Sequence, residues 1–180
     1  WIGLAGVLLS LVYPWMKSHH LGDLNILCSF ALLPALGTFF VAVGAYDPQS
    51  LLMILPIGLL TVSILHANNT RDVKTDLQAG LGTITTSVSL MNAKAIYTFE
   101  IFAPYALALL YVVLLGQPWT LLAVALTLPL ALRNVRTMIQ AEDDLPYRGI
   151  QRLDQTTAQL QMVFGLLYAL GFFLGSWLGV

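Results

Sequence analysis

Apolar residues run through this chain in long blocks, and polar residues gather in short clusters between them. A helix that crosses a bilayer needs about 20 mostly apolar residues. Reading for such blocks predicts six spans, at about 1–13, 24–44, 50–67, 95–115, 118–132 and 160–178. The first is short and is expected to end at Pro14. Gly116-Gln117-Pro118 reads as the turn of a tight helical hairpin. Pro34, Pro56, Pro104 and Pro129 fall inside spans, which bundled membrane helices tolerate.

The charges support this span count independently. Between the spans lie five connections, at 14–23, 45–49, 68–94, 116–117 and 133–159. The first holds Lys17, the third holds Arg71, Lys74 and Lys94, and the fifth holds Arg133, Arg136, Arg148 and Arg152. These are all 8 Lys and Arg residues of the chain. Odd and even connections lie on opposite sides when every block crosses. The excess of cations on cytoplasmic connections therefore places the odd ones in the cytoplasm and both chain ends outside. Trp1, Trp15, Trp119 and Trp177 sit near block ends, where amphipathic rings favour the membrane interface.

Composition narrows the picture further. Only 9% of the 180 residues are charged and 58% are hydrophobic, against about 25% charged in a soluble domain. A net charge of −1 removes the electrostatic argument for nucleic-acid binding, and an apolar chain is not a disordered one. Cys28, the lone cysteine, forms no internal disulfide and reads as a buried apolar side chain; no Cys/His spacing suggests zinc. The reading is an all-α polytopic transmembrane helix bundle, a single transmembrane domain over 1–180. Trp1 opens directly in an apolar block, with neither Met nor signal-peptide features, so the chain is expected to be the C-terminal part of a longer protein. The segment with Glu142-Asp143-Asp144 is expected to be a solvated surface.

Chemistry concentrates at His66-Ala67-Asn68-Asn69-Thr70-Arg71-Asp72-Val73-Lys74-Thr75-Asp76, where an apolar block runs into amides, carboxylates and cations. On a helix Asn68, Asp72 and Asp76 recur at i, i+4 and i+8 and share one face. Oxygen donors on one face suit a hard cation such as Mg²⁺, which takes a few carboxylates together with substrate phosphates. Arg71 is placed to pair with phosphate oxygens. Spacing alone leaves open a plainer reading, a polar cap where a membrane helix meets water. Tyr13 and Lys17 share a helical face if the turn continues past Pro14; alone they read better as a snorkelling lysine beside an aromatic belt. Glu100 is an intramembrane carboxylate and so a functional candidate, with structural pairing as the alternative. His66 reads as a packing histidine, and His19 and His20 as solvated.

The stretch Asn68-x-x-Arg71-Asp72-x-x-x-Asp76-x-x-Ala79-Gly80 resembles the second aspartate-rich motif of the UbiA superfamily of intramembrane prenyltransferases. Residues 65–72 are particularly similar to its menaquinone branch. Tyr13-x-x-x-Lys17 resembles the family's Tyr/Lys pair, and Leu21-Gly22-Asp23-Leu24 resembles the Gly-Asp-Leu that opens the branch's fifth helix. Many bacterial members carry Lys-Arg after Ala-Gly, where this chain has Leu81-Gly82. The resemblance implies a nine-helix enzyme of which these spans are helices four to nine. It also implies Mg²⁺-dependent transfer of a polyprenyl group from polyprenyl diphosphate to an aromatic acceptor. The expected acceptor is 1,4-dihydroxy-2-naphthoate in menaquinone biosynthesis; the alternatives are 4-hydroxybenzoate, or a non-catalytic membrane transporter or bundle.

By the same resemblance Asn68, Asp72 and Asp76 hold the metal, and Arg71 and Lys17 face the diphosphate. Tyr13 then lines the site near the reacting carbon. The expected setting is the lipid bilayer of the cell (inner) membrane, with the site facing the cytoplasm. The family's first motif, Asn-x-x-x-Asp-x-x-x-Asp, has no counterpart here and is expected upstream, so the 180-residue chain alone is expected to be inactive.

Overall fold

A computed structural model describes residues 1–142 and 149–180. Among these residues the architecture is helical: α1 (Ile2–Ser18), α2 (Gly22–Val43), α3 (Pro48–Gln78), α4 (Leu90–Leu115), α5 (Trp119–Ile139) and α6 (Leu153–Leu178). A single helical turn, Ile84–Ser87, stands between α3 and α4. All but α1 are long and apolar enough to cross a membrane. The six expected blocks each became a helix, so the chain is an all-α polytopic membrane bundle.

Local chemistry sets the element ends. Asp47 caps α3 by accepting from the Gln49 amide at 3.0 Å, with Pro48 in the first turn. Ser89 caps α4 through the Asn92 amide. Gly116 ends α4 at φ 63°, a left-handed conformation that suits glycine. Trp119 then opens α5, so the expected hairpin turn at 116–118 is present. Residues Cys28–Leu32 of α2 are wound as a π-helix and Trp119–Thr127 of α5 as a 3₁₀-helix.

Two expectations are corrected. Pro14 does not end the first helix, because α1 runs through it to Ser18. A proline withdraws one backbone bond, and a membrane helix absorbs that loss. The polar connections are also shorter than expected, since α3 continues to Gln78 and α5 to Ile139. At 31 residues α3 is about 46 Å long, well beyond the roughly 30 Å of bilayer hydrocarbon. Arg71, Lys74, Lys94, Arg133 and Arg136 therefore stand on helix ends rather than in loops. Asp143, Asp144 and Arg148 lie outside the described residues.

The core lies among α3, α4, α5 and α6, where Leu60, Tyr97, Ile101, Leu121, Leu160 and Phe164 are fully buried. Gly171 and Gly175 of α6 let it press onto the start of α5, and Thr120 Oγ1 donates to the Gly171 carbonyl at 2.5 Å. Tyr111 and Tyr168 donate to the carbonyls of Leu52 and Met53 at 2.6 and 3.0 Å. Hydroxyls in an apolar medium must find partners, and here they lock helices together. Outward positions carry Val113, Leu126, Leu166, Phe173 and Trp177, a face suited to lipid. Helix α1 has no buried residue and packs against α2. Cys28, expected to be buried, is half-buried on α2.

Candidate active site

The polar connections meet at one end of the bundle. Lys17 at the end of α1 approaches Asp76 near the end of α3, Nζ to Oδ1 at 3.9 Å. Arg71 of α3 reaches Asp154 in the first turn of α6. Lys94 at the start of α4 donates to the Ala141 carbonyl beyond α5 at 2.5 Å. This is the shared side that the cation pattern required.

Two groups form on the polar end of α3. Arg71 organises the first. Its Nε and Nη2 donate to the two carboxylate oxygens of Asp72 at 2.8 and 2.9 Å, and its Nη1 donates to Asp154 Oδ2 at 2.7 Å. Nη2 also donates to Asn68 Oδ1. A planar guanidinium fork serves such a set in a way a lysine cannot. Asn68 and Asp72 thus share a face, as expected, but their oxygens are turned to Arg71.

Asp76, one turn further on, belongs to the second group. It is 8% exposed, and among the described residues its Oδ2 has no hydrogen-bond partner. Lys17 faces it across the gap between α1 and α3, and Tyr13, one turn earlier on α1, lies in the field of the Asp76 and Asp23 carboxylates. The turn between α1 and α2 is held in place by His20, whose Nδ1 lies 3.1 Å from the Thr83 carbonyl and 2.9 Å from Ser87 Oγ. His20 is therefore exposed but not merely solvated, whereas His19 stacks on Trp15 at 4.4 Å. Gly82 lies against the same turn. A Cβ there would stand 2.6 Å from the Ser18 carbonyl oxygen, so a long basic side chain has no place at this position.

Sequence reasoning missed Asp154 as the fourth member of the Arg71 group. Its only signal was an acid in the first turn of a helix, a common feature of any helix start. It also undervalued the convergence of Asp23, His66 and Glu100, which bring one donor atom each to within 4.8 Å of one another behind the α3 face. All three stand in otherwise apolar helices, which was the available signal.

Away from this end, a groove of about 950 Å³ runs between α2, α3 and α6, lined among others by Phe30, Pro34, Phe39, Ile57, Tyr168 and Phe172.

Residues 1–148 match the UbiA prenyltransferase family. The chain is 34% identical over 159 residues to UbiA prenyltransferase domain-containing protein 1 of Xenopus tropicalis, covering 86% of this chain and 42% of that protein. It is 31% identical over 174 residues to the Mus musculus protein of the same name, covering 96% and 48%. The Drosophila melanogaster homolog is 33% identical over 158 residues, covering 84% and 40%. The chain thus spans somewhat under half the length of these curated relatives. With the family's pattern matched over most of its length, the chain belongs to the UbiA prenyltransferase family.

Proposed function

We propose that the complete protein transfers a polyprenyl group from polyprenyl diphosphate to an aromatic acceptor at the polar end of α3, with 1,4-dihydroxy-2-naphthoate as acceptor. The carrying observation is the meeting of Lys17 with Asp76 beside the Arg71, Asn68 and Asp72 group. The acceptor rests on the likeness of residues 65–72 to the menaquinone branch.

The family generally uses a divalent metal, and the donors here suit Mg²⁺. They are hard oxygens, and the buried Asp76 Oδ2 lacks a partner that a cation would supply. Asn68 and Asp76 stand eight residues apart, about 12 Å along a helix, so one ion reaches at most two of the three donors. Bound there, the metal supplies positive charge against which a diphosphate can leave.

The chain's own residues account for the rest. Arg71 is held by four acceptor oxygens on three residues and can exchange one of them for a phosphate oxygen. Lys17 presents an ammonium to the same anion. As the allylic C–O bond breaks, its electron pair leaves on the diphosphate, and these cations stabilise that charge. Tyr13 borders the side where the allylic cation develops. An aromatic carbon of the acceptor then attacks to form the C–C bond, and the group that carbon carried leaves as aromaticity returns, as H⁺ or, from the carboxylated carbon, as CO2. Apolar helix walls keep water away from the cation meanwhile. The groove between α2 and α3 offers an apolar path for an isoprenoid tail.

The test is prenyl transfer in membranes that carry the complete protein. Asp72→Ala and Asp76→Ala should each lower Mg²⁺-dependent transfer on the order of 100-fold. Full activity in both would overturn the site. Transfer to 4-hydroxybenzoate alone would move the acceptor, and ion flux without transfer would remove the enzymatic reading. The site is proposed to face the cytoplasm of the cell (inner) membrane. In a Cys28→Ala background, Ser87→Cys should be labelled from that side and Gln117→Cys from the other; the reverse pattern would invert the topology.

A further inference from the structure

We propose that Asp23 of α2, His66 of α3 and Glu100 of α4 form a second, buried metal site, for a divalent transition metal of the Zn²⁺ or Mn²⁺ class. This stands apart from the proposed prenyl transfer and does not depend on it.

The three side chains converge from three helices. One donor atom from each residue lies within 4.8 Å of the other two, and His66 Nδ1 is 3.6 Å from Glu100 Oε1. Two donors bonded at about 2.1 Å to one ion stand roughly 3.0–3.4 Å apart at octahedral or tetrahedral angles, a little less than the 3.6 Å between His66 Nδ1 and Glu100 Oε1. That separation is too long for a hydrogen bond between the two side chains.

A second observation is independent of the clustering. His66 is fully buried, yet among the described residues neither ring nitrogen has a hydrogen-bond partner, and buried Glu100 Oε2 has none there either. Buried polar atoms are nearly always satisfied, and orphaned ones within apolar helices are costly. Among the described residues no Lys or Arg pairs with Asp23 or Glu100. Among the described residues the cation facing the two carboxylates is His66 when protonated, 3.6 Å from Glu100, whereas a divalent ion would satisfy both carboxylates and the imidazole together.

Donor type sets the class. Imidazole nitrogen with carboxylate oxygens suits Zn²⁺, Mn²⁺ or Fe²⁺, whereas Mg²⁺ takes oxygen donors. The all-oxygen face of Asn68, Asp72 and Asp76 is therefore chemically distinct. The consequence is structural too. The three ligands come from three helices, so the ion would tie α2 to the α3–α4 core and stabilise the fold.

The test uses the complete protein in detergent, stripped with a chelator and held in excess Mg²⁺. Zn²⁺ should bind at one equivalent and raise the thermal midpoint. His66→Asn and Glu100→Gln should each weaken binding at least about 10-fold, while His19→Asn and His20→Asn retain it. No stoichiometric Zn²⁺, or equal binding by His66→Asn, would overturn the site. Should the variants fail to fold, Mn²⁺-loaded wild-type protein decides: spin-echo modulation from a coordinated imidazole nitrogen supports the site, and its absence removes it.

Discussion

Arg71 of α3 and Asp154 of α6 stand 83 positions apart in the chain, yet Nη1 and Oδ2 meet at 2.7 Å. The contact fixes one arm of the guanidinium fork and leaves the others on Asp72 and Asn68. A helix that contributes mostly apolar packing thereby sets the orientation of the cation at the proposed diphosphate site.

Asp154→Asn should keep a hydrogen-bond acceptor and lose the charge. Both partners are partly exposed, at 26% and 21% of their side-chain surface, so the stability cost should be about 1 kcal/mol. A thermal midpoint in detergent checks this, and an unchanged midpoint would show that the pair orients Arg71 without stabilising the fold.

Arg71→Lys should raise the KM for polyprenyl diphosphate on the order of 10-fold, because a lysine keeps the charge and loses the fork. Steady-state kinetics on the complete protein measures it. An unaltered KM would mean that charge alone suffices.

Gly82→Ala should loosen the docking of the α1–α2 turn. The added Cβ meets the Ser18 carbonyl oxygen at 2.6 Å, a backbone atom that cannot swing aside. The expected cost is about 1–3 kcal/mol, with weakened prenyl transfer as Lys17 drifts from Asp76. Wild-type stability and activity would show that the turn is free to shift.

Gly175→Ala and Gly165→Ala form a matched pair on α6. At Gly175 the new Cβ would lie 2.3 Å from Pro118 Cβ, whereas at Gly165 the nearest atom, Ile57 Cδ1, is 3.6 Å away. The first should destabilise by about 1–3 kcal/mol and the second should be nearly neutral. Equal midpoints would sink the account of close packing between α5 and α6.

Much of the architecture was readable along the chain. Span existence follows from block length, because the bilayer imposes one dimension on every crossing helix. The hairpin at 116–118 follows from Gly/Pro chemistry, and the shared side of the cations from the alternation of connections. The common face of Asn68, Asp72 and Asp76, with Arg71 beside it, follows from the helical period. These are local properties, and a single strand of sequence carries them.

What the chain could not specify locally is which helices touch, and at what height. His66 read as packing and Glu100 as undecided, and Asp23 as part of a motif. Their convergence depends on the mutual rotation and depth of α2, α3 and α4. The same holds for Asp154, whose role exists only because α6 starts level with Arg71. Helix lengths were also underestimated, since hydropathy reports where the bilayer ends and backbone hydrogen bonds carry α3 beyond it to Gln78. Period and hydropathy are set by neighbours in sequence. Register between helices is set by side-chain packing over distant segments, which the close approaches at Gly82 and Gly175 fix to within a methyl group.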